Sequence, residues 1–255
     1  MTTTQVQCIG ITGVPLVQTK DNIALLIANA IRAMGETLQE GDVVVVAQKI
    51  VSKAEGRWVH LSTVTPGPDA YRLAEATGKD PRLVELILRE SNEVLRARPG
   101  VIIVEHRLGF ICANAGIDHS NVTGDEEQVL LLPADPDASA RKLRMAWQEI
   151  FGVRQLAVII NDSHGRPWRL GTVGVAIGIA GLFPLTDRRG EPDLFGRPLQ
   201  ATVVGTADEL AAAASLVMGQ AAEAIPAVIV RGARYHPGEA TIRDLLRPRE
   251  LDLFR

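Results

Sequence analysis

The sequence predicts an α+β fold. Three observations lead there. Short β-branched runs stand close enough together to form hairpins, apolar residues at helical spacing fall in their own blocks between them, and the regular strand–helix alternation of a doubly wound sheet is missing. With 255 residues, 46% of them hydrophobic, the chain can bury a large core in one long domain or two short ones, so disorder is excluded as its main state.

The elements follow in order. Residues 22–34 (NIALLIANAIRAM) repeat apolar side chains at helical spacing behind Asp21 and Asn22, either of which can cap the exposed N–H groups, and Gly35 and Gly41 close the element. Residues 43–46 are four valines, a buried strand that emerges into AQKIVSKAEGR, where Lys49 and Lys53 leave the core together. Residues 66–69 are turn-rich. Residues 71–76 and 81–97 then alternate apolar and charged side chains at helical period, with Pro81 suited to a first turn, which predicts two helices covering a sheet.

Residues 101–104 and 110–113 predict a hairpin around Leu108 and Gly109, followed directly by the loop AGIDHSN. Asp135-Pro136-Asp137 introduces a helix over 138–150, ended by Gly152. A strand over 156–160 breaks into the loop NDSHGR, which opens a Gly-rich stretch. That stretch, residues 170–185, is short of the roughly 20 apolar residues that span a bilayer and reads as a tightly packed core segment. DRRGEPDLFGRPL is a polar insertion, expected to act as a lid or clamp; a strand over 199–204, an Ala-rich helix over 207–218 and a buried strand over 224–232 complete the series.

Two apolar runs that each break into an acid-bearing polar segment carry the first functional signal. A buried strand ending in Asp with hydroxyl and amide neighbours delivers hard oxygen ligands to a divalent metal beside a phosphate. Asp118 and Asp162 head these segments, and Ser163 supplies a further oxygen. Taken alone, either Asp could be a turn residue bonding to nearby backbone N–H groups. His119 and His164 raise the question of zinc, but neither HExxH nor a Cys/His cluster supports it. Lys49 and Lys53 could neutralise phosphate charge, and Arg166 and Arg169, with Arg188, Arg189 and Arg197, could grip a phosphodiester or carboxylates; the plain alternative for all of them is a solvated surface. Gln220 is either a helix-end side chain or an amide oxygen for a metal shell.

Other classes are excluded. GxxxxGK[ST] is missing, GVAIGIAG spaces its glycines wrongly for a dinucleotide fingerprint, and DHSNVTGDEEQV has Val122, Thr123 and Val129 where a calcium loop needs oxygen ligands or Gly. A net charge of −3 leaves no basic surplus for nucleic acid. The N-terminal segment MTTTQVQCIG has no signal-peptide pattern, and Cys8 and Cys112 sit far apart in apolar surroundings. Both point to a cytoplasmic protein with reduced, structural thiols and no membrane partner.

The ordered series GVPLV, KIVSKAEGR, NAGIDHSNV, INDSHGRPWRLGTVGVAIGIAG, DLFGRPL, MGQAAEAIP and AVIVRG resembles the coenzyme F420 γ-glutamyl ligase family across nearly the whole chain. The resemblance implies a two-lobed α+β fold with mixed or antiparallel sheets particular to that family, and one ligase domain over 1–255, with two intertwined lobes as one arrangement open to it. The C-terminal flavin-binding domain that some relatives carry is not expected, nor is its reductase activity. It implies a GTP-dependent enzyme that attaches L-glutamate to the lactyl carboxylate of the deazaflavin precursor F420-0, extends a γ-linked tail, uses Mg or Mn ions, responds to potassium and forms homodimers.

By matched position, Asp118, Asp162, Ser163 and Gln220 would hold metal. Val14, Pro15, Leu16, Val17, Gln48, Lys49, Lys53 and Asn121 would line the nucleotide, together with the turn Met218, Gly219, Gln220, Ala221, Ala222, Glu223, Ala224 and Ile225. Catalysis is expected from Lys53, Arg166 and Arg169. The family often has Glu at the Gln220 position and Thr at the Ser163 position, so Gln220 offers a cation less charge here. Without the resemblance, the residues leave open a metal-dependent phosphotransferase or phosphohydrolase, or a non-catalytic nucleotide-binding module.

Overall fold

A computed structural model describes residues 5–119 and 125–253. In chain order the strands and helices are β1 (Gln7–Ile11), α1 (Ile23–Ala33), β2 (Asp42–Ala47), α2 (Gln48–Ala54), β3 (Trp58–His60), α3 (Pro68–Thr77), α4 (Pro81–Arg89), β4 (Ser91–Arg98), β5 (Val101–His106), β6 (Ile111–Ala113), β7 (Gln128–Leu130), α5 (Pro136–Phe151), β8 (Leu156–Arg166), β9 (Arg169–Ala180), β10 (Thr186–Asp187), β11 (Val203–Val204), α6 (Thr206–Met218) and β12 (Ala227–Arg231). Helices and mixed sheets make this an α+β fold, as expected.

The central sheet runs β1-β12-β2-β8-β9 and is antiparallel except for the β2/β8 pair. Its middle strands are apolar on both faces because helices cover both. Val44, Val46, Val158 and Ile160 join α1 and α5 in one core, while Val43, Val45, Ala157 and Ile159 pack with α6 in a second. Four consecutive valines are thereby wholly buried. The first core continues to Ile102 and Val104 of a smaller sheet, β4-β5-β6.

Local chemistry sets the ends of these elements. Asn22 caps α1 by accepting the Leu25 N–H at 3.1 Å, while Asp21 turns back to accept the Gln18 N–H. Asp135 caps α5 from the Ala138 N–H at 2.9 Å, Pro136 takes the first turn, and Gly152, at φ +69, ends the helix with its N–H on the Gln148 carbonyl. Gly178 of β9 lets the start of α5 come down onto the sheet: a Cβ there would stand 2.5 Å from the Pro136 carbonyl carbon, a backbone atom that cannot swing away. Gly178→Val is expected to cost stability at the upper end of about 1–3 kcal/mol, read as a lowered urea midpoint.

Three expectations are corrected. The helix predicted over 81–97 stops at Arg89, and Ser91–Arg98 is strand β4. Its pairing with β5 is interrupted by register shifts at Ser91/Glu93 and Val94/Arg96, which break the two-residue alternation and make the segment resemble a helix in sequence. NDSHGR is not a loop; it continues β8, because the Gly-rich segment folds back as β9 and pairs with it to the tip. The strand expected over 199–204 is reduced to Val203–Val204, which pairs only with Thr186–Asp187. The hairpin of 101–113 forms as expected from β5 and β6, turning through Gly109 at φ +101. No described helix is long and apolar enough to cross a membrane.

Candidate functional site

A cleft of about 840 Å³ opens where β2 ends and β8 does not. The two strands pair as far as Ala47 and Asn161; beyond that point the chain after β2 coils into α2, while β8 runs on. Asp162 and Ser163 therefore face a short helix across a gap, where strand pairing would otherwise have placed a neighbour. This is the familiar place for a ligand, beyond the carboxyl ends of parallel strands.

On α2, Lys49 and Lys53 stand four apart and so share a face. Lys49 Nζ lies 3.4 Å from Asp118 Oδ1. Burial lowers the Lys53 pKa from its ordinary value, and the Lys49 charge lowers it further against an opposing pull from Asp118. The Lys53 ammonium also lies 5.7 Å from the centre of the Trp58 ring. The two ammonium groups repel each other side by side on one wall of the cleft, a repulsion that a bound anion would offset.

Asp118 is fixed at both ends. Its backbone bridges Leu130, with both N–H···O bonds at 2.9 Å, and its Oδ2 accepts from the Gln48 side-chain amide. Gln48 is oriented in turn by the buried Ser52 hydroxyl, which donates to its Oε1 at 3.0 Å and leaves the amide NH₂ for Asp118. Burial pushes the Asp118 pKa up to about 6; Lys49 and Gln48 oppose the rise, and Asp162 adds to it. The two acids thus sense each other although they are distant in sequence.

The opposite wall is the turn after α6. Ser163 Oγ donates to Gln220 Oε1 at 2.8 Å, which joins β8 to this turn. The turn departs from helix at Gly219, with φ +72 and ψ −174. The Glu223 carboxylate then folds back to accept the Ala221 N–H at 2.8 Å, and such backbone bonds lower its pKa. A Cβ at Gly219 would displace the mobile end of that side chain, and the positive φ is what makes the position favour Gly.

The donor set suits a hard divalent cation. Asp118, Asp162, Ser163 and Gln220 all line the cleft and offer oxygen, and the Asp118 pKa responds to the Asp162 charge. Among the described residues, no three His, Cys, Asp or Glu side chains group as a metal cage. Two acids with neutral oxygens fit an ion that keeps waters and takes further ligands from a substrate phosphate, as magnesium does. His119 is exposed, with Nε2 2.6 Å from the Glu126 carbonyl.

Most residues singled out from sequence meet here. Val14, Pro15, Leu16, Val17, Gln48, Lys49 and Lys53 line the cleft, as does the whole turn from Met218 to Ile225. Asn121 lies outside the described residues. Arg166 and Arg169 pair with each other at the tip of the β8/β9 hairpin and are not among the lining residues. The insertion over 187–199 does not line the cleft either; its charges pair internally, Arg188 with Glu191 and Arg189 with Asp187. Sequence reading missed Gln18, Ala47, Ile50, Trp58, Asn161, Thr172 and Pro226 as lining residues. Asn161 could have been found from its place beside Asp162 at the end of an apolar strand. Nothing local to Trp58 or Thr172 indicates the cleft.

Comparison with known proteins bears on this arrangement. The sequence model of a family described as F420-0:Gamma-glutamyl ligase matches residues 12–232. A protein of Methanothermobacter thermautotrophicus named coenzyme F420:L-glutamate ligase is 54% identical over 98% of this chain and 99% of its own length. Proteins of the same name from Methanopyrus kandleri and Archaeoglobus fulgidus are 49% and 42% identical, covering 92% and 98% of this chain and 92% and 97% of their own.

Proposed function

The chain belongs to the F420-0:γ-glutamyl ligase family, and from that premise we propose that it joins L-glutamate to coenzyme F420-0 at the expense of GTP and then extends a γ-linked tail. The observation that carries this reading is the meeting of Asp118 and Asp162, from separate segments, with Lys49, Lys53 and the Met218–Ile225 turn in one cleft.

A carboxylate and an amine do not condense in neutral water, so one of them must be activated. In the proposed sequence, an oxygen of the precursor's lactyl carboxylate attacks the γ-phosphorus of GTP, the bond to the β-phosphate oxygen breaks, and GDP leaves. The deprotonated amine of glutamate then attacks the resulting acyl phosphate at carbon, the C–O bond to phosphate breaks, and inorganic phosphate departs as the amide forms.

The first step brings two anions together, and catalysis of it consists of positioning and charge neutralisation. Lys49 and Lys53 act as point charges toward the phosphates, and the Met218–Ile225 turn with Val14–Val17 supplies the walls that exclude water from the acyl phosphate. Asp118, Asp162, Ser163 and Gln220 would hold Mg or Mn, which when bound supplies the positive charge that offsets phosphate repulsion. Potassium is the proposed monovalent activator and a homodimer the proposed assembly. Arg166 and Arg169, at the hairpin tip, are proposed to act on substrate groups that extend beyond the cleft.

The test is to incubate purified protein with F420-0, L-glutamate, GTP and Mn and read product mass. Successive glutamyl increments, dependent on GTP, are expected. GTP consumed equally without glutamate or precursor would instead make this a phosphohydrolase. Lys53→Ala should raise the KM for GTP by about 10-fold to 100-fold, the worth of one charge-assisted hydrogen bond, without altering the melting temperature by more than a few degrees. Unchanged GTP kinetics would remove Lys53 from the site.

A further inference from the structure

Asp162 has a partner behind the cleft that the proposed reaction does not use. His164 Nε2 lies 3.0 Å from Asp162 Oδ2, and both side chains are largely buried, at 12% and 16% exposure. A carboxylate only accepts hydrogen bonds, so Nε2 carries the hydrogen in this pair. The two residues are adjacent on one face of β8, but they face different spaces. Asp162 lines the cleft, whereas His164 lines a second cavity of about 240 Å³ together with Phe110, Asp208 and Arg247.

The imidazole is held in place by what surrounds it. Its ring is tilted on Phe110, with centroids 5.5 Å apart, and Phe110 stacks in turn on the wholly buried His106, 5.1 Å away and 5° from parallel. His106 is itself placed by the Leu108 N–H, which donates to its Nδ1 at 3.1 Å. On the side of α6, the Asp208 carboxylate lines the same cavity and is tied to β9 by accepting the Ala176 N–H at 2.9 Å. A line of packed rings thus runs from the β5/β6 hairpin to one oxygen of Asp162.

We propose that His164 is a positioning residue for Asp162: its Nε2–H fixes the carboxylate rotamer through Oδ2 and leaves Oδ1 directed to the cation site. The inference rests on the metal role given to Asp162 above. Groups that bond to metal-ligating carboxylates from behind typically change metal affinity by about 10-fold to 100-fold when lost. The reason is that a free carboxylate must surrender rotamer freedom each time a cation binds.

The experiment measures Mn²⁺ binding directly, by the loss of free-ion electron paramagnetic resonance signal, with nucleotide absent. Asp162→Asn and the melting temperature of each variant serve as controls. His164→Phe keeps a ring against Phe110 and removes the donor; it is expected to weaken Mn²⁺ binding about 10-fold or more while the protein stays folded. His164→Gln, whose amide nitrogen reaches about as far as Nε2, should recover most of the affinity. His164→Asn, one methylene shorter, should not, and the Gln/Asn pair carries the test if the Phe variant folds poorly. Undiminished Mn²⁺ affinity in His164→Phe would overturn the proposal, as would equal loss in the Gln and Asn variants. If Asp162→Asn itself binds Mn²⁺ normally, the metal role of Asp162 fails first, and the two failures are told apart.

Discussion

Replacing Asp118 by Asn should lower ligation by at least about three orders of magnitude, equivalent to about 4 kcal/mol of transition-state stabilisation, in a protein that remains folded. The substitution preserves shape and an acceptor oxygen for Gln48, so what it removes is charge. That charge pairs with Lys49 and is one of two carboxylates lining the cleft at the proposed cation site. The loss should appear in turnover, read from product mass, and Asp162→Asn should behave alike. Near-normal ligation by either variant would refute the metal assignment.

Stability should move the other way, because burial raises the Asp118 pKa to about 6 in the folded protein, above the usual carboxylate value of about 4. The folded state then binds this proton more tightly than the unfolded chain. The group's contribution to stability therefore grows as pH falls through about 6 and is complete below about 4. In chelator, the wild type should gain from this group between pH 7 and pH 5, and Asp118→Asn should lack that gain. Urea melts at the two pH values check it; equal pH slopes would contradict the burial argument.

Trp147→Ala is expected to be the most damaging core substitution, at about 3–5 kcal/mol. Trp147 is completely buried on α5, and its indole N–H donates to the Ala24 carbonyl of α1 at 2.9 Å. Truncation opens a cavity between the two helices that cover one face of the central sheet and removes a bond that spans them. Against a total of about 5–15 kcal/mol for a typical domain, this leaves little margin. The urea midpoint should fall sharply, while activity per folded molecule changes little, since Trp147 does not line the cleft. A midpoint within experimental scatter of the wild type would show that the site collapses without cost.

Most of the elements were legible because their signals are local. The four valines of β2, the Asn22 and Asp135 caps and the Gly152 stop each act within a turn or two of chain. The pairing of Asp118 with Asp162 in one site was legible through residue chemistry, as two apolar runs ending in hard oxygen donors. What escaped depends on partners far away. NDSHGR reads as a loop until β9 folds back on it, and β4 hides its alternation behind two register shifts. Ser52 orienting Gln48 follows from α2 being a helix, and that helix is too short for periodicity to reveal. The arginine-rich segments attracted a functional reading by composition, yet composition cannot tell a grip on substrate from side chains that pair among themselves.

The strand order also dictates when the molecule can form during its synthesis. β12, from the end of the chain, lies between β1 and β2, and β8 is the other neighbour of β2, so the four-valine strand has no early partner. Such remote pairings carry a large loop-closure cost before any contact repays it, which slows folding. Synthesis must therefore pass Arg231 before the five-stranded sheet can be completed. Until β8 pairs, the apolar β2 has two open edges, and it keeps one until β12 inserts, so a nascent chain arrested ahead of β12 is expected to be prone to aggregation.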